Sequence, residues 1–294
     1  MIFGLALVAC QQHDPPASLQ KPEPAVAAVD DGVTVLTAGA DPKRALRYHL
    51  AKGTTSPFEI TIDLDLQMGA ATAAMGGPTP TLVVTGALVV DDVLPSGDLA
   101  VHIRLEHASA RDRPGSKITA AMFAAQTKHL EGFVERATLS PTGQLRDAHF
   151  ETPDASPELE AKLQTMSEQL EPLAVQVPAQ AMGVGGRWSM TRPISTNGVH
   201  MTATLTHEVI ALDGDHVTYK TTAQVTGADQ HTAMNGVELD VHQIAGSGGG
   251  TGVIDLATGM VTGSYTTAFH VDIGAPDQTL QVGMAMTLAI SRPQ

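Results

Sequence analysis

Histidine, carboxylate and glycine-flanked serine are the residues in this 294-residue chain whose types could do chemistry. There are twelve histidines, and a metal site would need several to converge. His102 and His107 stand five apart in an alternating stretch, a spacing that turns them to opposite sides of a strand. His200, His216 and His242 fall among Thr, Lys, Glu and Asp on polar faces. His207 is in phase with Met201, Ala203 and Leu205 and is expected inside, as a neutral core histidine. Among carboxylates, Asp63 and Asp65 share the polar side of one alternating run and read as solvated. Asp213-Gly214-Asp215 reads as a turn, because the later oxygen ligands of a calcium loop are missing. Gly246-Ser247-Gly248 lies in GSGGGTG, which reads as a flexible loop and not as the Gly-x-Ser-x-Gly of a nucleophile elbow. Gly183-Val184-Gly185-Gly186 lacks the Lys-Ser/Thr and the following helix of a phosphate loop. It is expected instead to be the turn that carries Trp188, the one tryptophan, onto the core. The expectation is therefore no catalytic set, no metal, no cofactor and a non-enzymatic protein. A hydrolase or metalloenzyme assembled from dispersed residues is the third reading, and three ligands meeting at one point would revive it.

The elements that would position these residues are mostly strands. Residues 58–68 alternate without a fault, with Phe, Ile, Ile, Leu, Leu and Met on one side and Glu, Thr, Asp, Asp and Gln on the other. That period marks a half-buried antiparallel strand. Residues 99–106, 201–206 and 217–225 behave alike, as do 280–290, and Asn197-Gly198, Asp213-Gly214, Asn235-Gly236 and Thr258-Gly259 punctuate the runs as turns. One segment differs. Ser156 is a good N-cap, Pro157 suits the first helical position, and Leu159, Leu163, Met166 and Leu170 recur at helical spacing. This predicts an amphipathic helix over 156–170 that needs a sheet to cover, and a weaker one over 117–129. The fold class is mainly β with minor α: a curved antiparallel sheet with the helix packed on it. Residues 138–150 and 254–269 both read as strand–turn–strand, and short-then-long strands recur (46–51 then 58–68; 187–191 then 199–212). This suggests a duplicated β-meander, with halves at 43–176 and 177–294 that form one domain or two.

The apolar side of these strands is aliphatic and rich in methionine: Met68, Met201, Met284 and Met286, to which the helix adds Leu163 and Met166. Methionine surfaces repack easily and suit variable apolar ligands. The six residues are the candidate ligand-binding set, for an acyl chain or similar molecule between sheet and helix. A carrier of that kind is expected to hold a connected cavity of ~300–1,000 Å³. The alternative is a structural or protein-interaction module with a filled core and no small-molecule ligand.

The net charge of −14 repels nucleic acid and anionic headgroups, so nucleic acid is excluded as a partner. Cys10, the single cysteine, excludes a disulfide framework. It ends a short apolar stretch, and Leu7-Val8-Ala9-Cys10 resembles the lipobox of bacterial lipoprotein signal peptides. That resemblance implies a signal peptide over 1–10, S-acylation of Cys10, and a membrane anchor. Gln11, not being Asp, implies outer-membrane sorting. The stretch lacks a basic start, so a misplaced start codon or a truncation is expected. Residues 11–42, rich in Pro, Ala and polar residues, read as a tether between anchor and body. Pro178, Gly183, Gly185, Gly186 and Trp188 resemble a Pro…Gly-x-Gly-x-x-Trp segment of uncharacterised bacterial lipoproteins with this helix-then-Trp layout. The general plan also resembles, at the level of fold, the LolA/LppX group of lipoprotein and lipid carriers.

Overall fold

The computed structural model describes residues 29–30, 32–69, 76–127, 131–151, 175–196, 199–234, 237–275 and 278–293. Cys10, the 156–170 helix with Leu163 and Met166, and the Asn197-Gly198 and Asn235-Gly236 turns lie outside the described residues.

Alternation in the sequence becomes strand almost throughout. The strands are β1 (Val29–Asp30), β2 (Val33–Thr37), β3 (Thr55–Met68), β4 (Gly77–Pro78), β5 (Thr81–Val93), β6 (Leu99–Arg111), β7 (Val134–Leu139), β8 (Leu145–Phe150), β9 (Arg187–Thr196), β10 (Val199–Asp213), β11 (His216–Thr226), β12 (Gln230–Met234), β13 (Val237–Asp255), β14 (Val261–Ala275) and β15 (Gln278–Ser291). All belong to one curved, open, antiparallel sheet in the order β1-β2-β9-β10-β11-β13-β14-β15-β3-β5-β6-β7-β8, with β12 on β13 and β4 on β3. Both expected halves therefore join a single sheet, stitched where β15 pairs with β3 from Val282↔Met68 to Ser291↔Glu59. The folded body also starts earlier than a tether over 11–42 implies, since Val33 of β2 is buried. The expected 117–129 helix is present as α1 (Ala120–Thr127), capped by the Thr119 hydroxyl on the Met122 amide.

Register decides which side chains share a face, because directly paired residues point the same way. One cluster of buried side chains joins Val90, Val101 and Leu139 from one limb of the sheet to Val209, Val217 and Ile254 from the other. Side chains of opposite limbs meet only on the inside of a curve, so this face is the concave one. The cluster sits where β5 and β11 are furthest along or just starting, at the end of the sheet crossed by residues 38–54. That crossing segment carries buried Leu46, Tyr48 and Leu50. The alternation at 46–51 is real, yet no strand forms. Its amides bond outward to loop carbonyls instead, Tyr48 N–H to Pro141 and His49 N–H to Leu256. Arg44 pairs with Met182 nearby. Gly183 allows this junction to close: a Cβ there would lie 1.8 Å from the Ala40 carbonyl oxygen.

Two further expectations are corrected. GSGGGTG is no loop but the middle of β13, bonded on both sides to β11 and β14. Glycine is kept there because neighbouring side chains lie across it; a Cβ on Gly252 would meet the hydroxyls of Tyr265 and Tyr219 at 2.4 and 2.8 Å. His102 and His107 face the same, convex side. A bulge at Glu106 inserts one residue between the pairs Gly86↔Leu105 and Thr85↔His107 and shifts the phase.

Candidate functional site

The convex face is polar and internally partnered. Asp63 and Asp65 are more than solvated, since Arg113 reaches both at 3.6 and 3.0 Å. Asp91 holds His102 at 2.9 Å and Arg136 at 2.8 Å. His107 pairs with Glu131, His216 with Asp255, His242 with Asp229, and His231 with both Glu238 and Asp240. Such surface pairs contribute little stability each. Among the described residues no group of three or more His, Cys, Asp or Glu could hold a metal ion.

The concave face differs between its limbs. On β9–β11 it carries a sealed polar-aromatic cluster. His207 is 4 % exposed, its ring 5.1 Å from Trp188 and 5.7 Å from Tyr219, with Nδ1 2.8 Å from the Thr221 hydroxyl. Burial, and secondarily the positive charge of Arg192, lower the His207 pKa from 6.5 to about 4. Trp188 is wholly buried, as expected, and its Nε1–H donates to the Gln176 carbonyl at 2.9 Å. The hydroxyls of Tyr219 and Tyr265 bond to each other, and burial raises both phenol pKa values. A histidine beside a hydroxyl resembles the start of an acyl-transfer pair. Here both partners are sealed within the packed interior, so the Thr221 hydroxyl is out of a substrate's reach.

The other limb is aliphatic and graded. Along β3, Ile60 is buried, while Ile62, Leu64, Leu66 and Met68 are half-buried. Beside it on β15, Ile290 is buried and Leu288, Met286, Met284, Val282 and Leu280 are half-buried. Register places them pairwise, Ile290↔Ile60 through Val282↔Met68. On the other side of β15, Tyr265, Thr267, Phe269, Val271 and Ile273 of β14 continue the same face. Where the two stripes reach the closed end they open into a cavity of about 110 Å³ lined by Tyr48, Ser56, Phe58, Ile60, Leu88, Ile103, Leu105, Leu139, Leu145, Gly259, Met260, Val261 and Ile290.

Of the candidate ligand-binding residues, Met68, Met284 and Met286 come together on this face through the β15–β3 pairing. Met201 lies on β10, with three strands between it and β15 in the sheet order. Leu163 and Met166 fall outside the described residues. The cavity lining itself was missed. Leu88 lies in the nearly unbroken apolar run of β5, and Ile103 and Leu105 alternate on β6, so the stripes were visible. What joins them to Met260 and Tyr48 is packing between segments far apart in the chain. The cavity is smaller than the ~300–1,000 Å³ typical of ligand clefts and cavities.

Residues 141–261 match the model of a family of unknown function, DUF6263. The match runs from the β7–β8 turn to the first residue of β14, and so takes in the Gly183–Trp188 junction and the glycine-rich part of β13. No curated protein matches the chain.

Proposed function

We propose that this protein is a lipid-anchored lipoprotein of the bacterial outer membrane whose body binds an apolar ligand along its concave face, without catalysis. The observation that supports the binding half is the graded aliphatic stripe. Residues such as Leu64, Leu66, Met284 and Met286 would be expected to seal a core, yet they remain half-buried on the inside of a curved sheet. Removing that surface from water favours an apolar occupant by about 25 cal/mol per Å². The anchor rests on Leu7-Val8-Ala9-Cys10 alone. Multiple acyl chains on Cys10 would hold the body at a membrane firmly, where one chain would not.

Native mass spectrometry of the body purified from its own host tests the binding half, with a retained lipid as the expected result. A body that retains none and takes up no fluorescent apolar probe would sink it. Fractionation of a Cys10→Ala variant tests the anchor separately, the expectation being a shift from membrane to soluble fraction. The second reading, an interaction module with a filled core, is favoured by the cavity volume of about 110 Å³. It predicts neither lipid nor probe binding.

A further inference from the structure

Resting on the apolar-ligand reading, we propose that the closed-end cavity takes the methyl terminus of a single unbranched alkyl chain. The amphiphile then lies in the concave face with its polar head toward the end of the sheet marked by Met68 and Leu280.

The lining allows only this orientation. It is almost entirely hydrocarbon, and its two polar side chains are already engaged. The Tyr48 hydroxyl donates to the Val175 carbonyl at 2.9 Å, and the Ser56 hydroxyl donates to the Thr258 carbonyl. A carboxylate or phosphate pushed in here would lose its water and find no free side-chain donor, at a cost of several kcal/mol or more. A chain end loses nothing of the kind. Size narrows the ligand further. An engineered protein cavity of about 150 Å³ lined by Leu, Ile and Phe accommodates benzene. A volume of about 110 Å³ therefore holds a few carbons, and is too small for a phospholipid head group or a fused ring system.

The rest of the chain has somewhere to lie. From Ile60 to Met68 the β3 stripe runs eight residues, about 26 Å at the usual rise per residue. A membrane leaflet's hydrocarbon is about 15 Å deep, half the bilayer core. An acyl chain thus fits along the stripe with its end in the cavity. Leu139 and Leu145 belong to the floor, and Tyr48, on the segment that crosses this end, lines it beside them.

The test uses the full chain, delipidated, and two fatty acids of equal length carrying the same fluorophore, one at the methyl end and one beside the carboxylate. The methyl-labelled probe is expected to bind at least tenfold more weakly, because its bulky end cannot enter. A competition series of unlabelled saturated fatty acids then reads the preferred length. Ile103→Phe and Leu145→Phe, each filling the cavity from a different strand, are expected to move the preference to shorter chains. The longest chain should lose about tenfold in affinity, the worth of roughly two methylenes withdrawn from apolar contact. Equal binding of the two probes, or an unchanged length profile in a folded variant, overturns the orientation while leaving the apolar-face reading intact. No binding of any chain overturns both. If neither variant folds, the two-probe comparison on the unaltered chain still decides.

Discussion

Tyr219 and Tyr265 join hands over a glycine. They sit on β11 and β14, with β13 between them, and their hydroxyls bond directly above Gly252. The bond exists only because that position has no side chain. Gly252→Ala is therefore expected to separate the hydroxyls and to cost about 1–3 kcal/mol of stability, the usual penalty for overpacking. Urea denaturation checks this. A variant as stable as the parent would mean that the tyrosines do not lie over the strand.

His207 gives the fold a pH dependence whose sign is fixed. Its pKa is near 6.5 when unfolded and about 4 when folded, so below pH 6.5 the unfolded chain binds the extra proton first. Stability from this residue is complete above pH 6.5 and lost as pH falls toward 4, by up to about 3 kcal/mol. Denaturation midpoints for the parent and for His207→Gln should converge on acidification. Parallel curves between pH 4 and 7 would remove the histidine as the cause.

Gly183 and Gly185 are two residues apart and should respond differently to alanine. At Gly183 the new methyl would run into the Ala40 backbone, which has to move. At Gly185 there is open space, and only the left-handed backbone (φ 77°) resists. Gly185→Ala is expected to cost about 1–2 kcal/mol, and Gly183→Ala clearly more. Calorimetry on the two variants ranks them, and the reverse order would contradict the junction between residues 38–54 and 175–186.

Met286 tests the aliphatic stripe without touching the buried core. Because the side chain is half-buried, Met286→Glu should cost no more than about 1 kcal/mol in stability. A carboxylate in mid-stripe should still cut apolar-probe binding at least tenfold, since the ligand must then cover a charge. A folded variant with undiminished binding would relocate the ligand.

Much of the sheet was legible in the sequence, because period two needs only local information. Residues 58–68 alternate in the sequence and fall within the single strand β3, Thr55–Met68. Trp188 and His207 were likewise placed inside from phase and type. The failures share a cause: each depended on a partner elsewhere in the chain. Glycine composition made 246–252 look like loop, since the tyrosines that cover it come from other strands. Leu46, Tyr48 and Leu50 alternate like a strand, but their backbone partners are turns at 141 and 256. The bulge at Glu106 reversed the relation of two histidines that simple counting had set apart. The cavity was least legible, because β3, β5, β6 and β15 contribute to it through pairings between residues up to about 230 positions apart, such as Ile60 and Ile290.

Most of the fully sealed large side chains, among them Trp188, Tyr219, Leu46, Met182 and Ile254, gather at the end crossed by residues 38–54. Weight in the base leaves the opposite hairpin free to vary. Lengthening the connection between β14 and β15 would add only slowly growing loop entropy, while the one between β3 and β5 carries the fully buried Pro80 at its end. Vessel depth is thus an adjustable dimension of this architecture, and the foundation is the part that tolerates no remodelling.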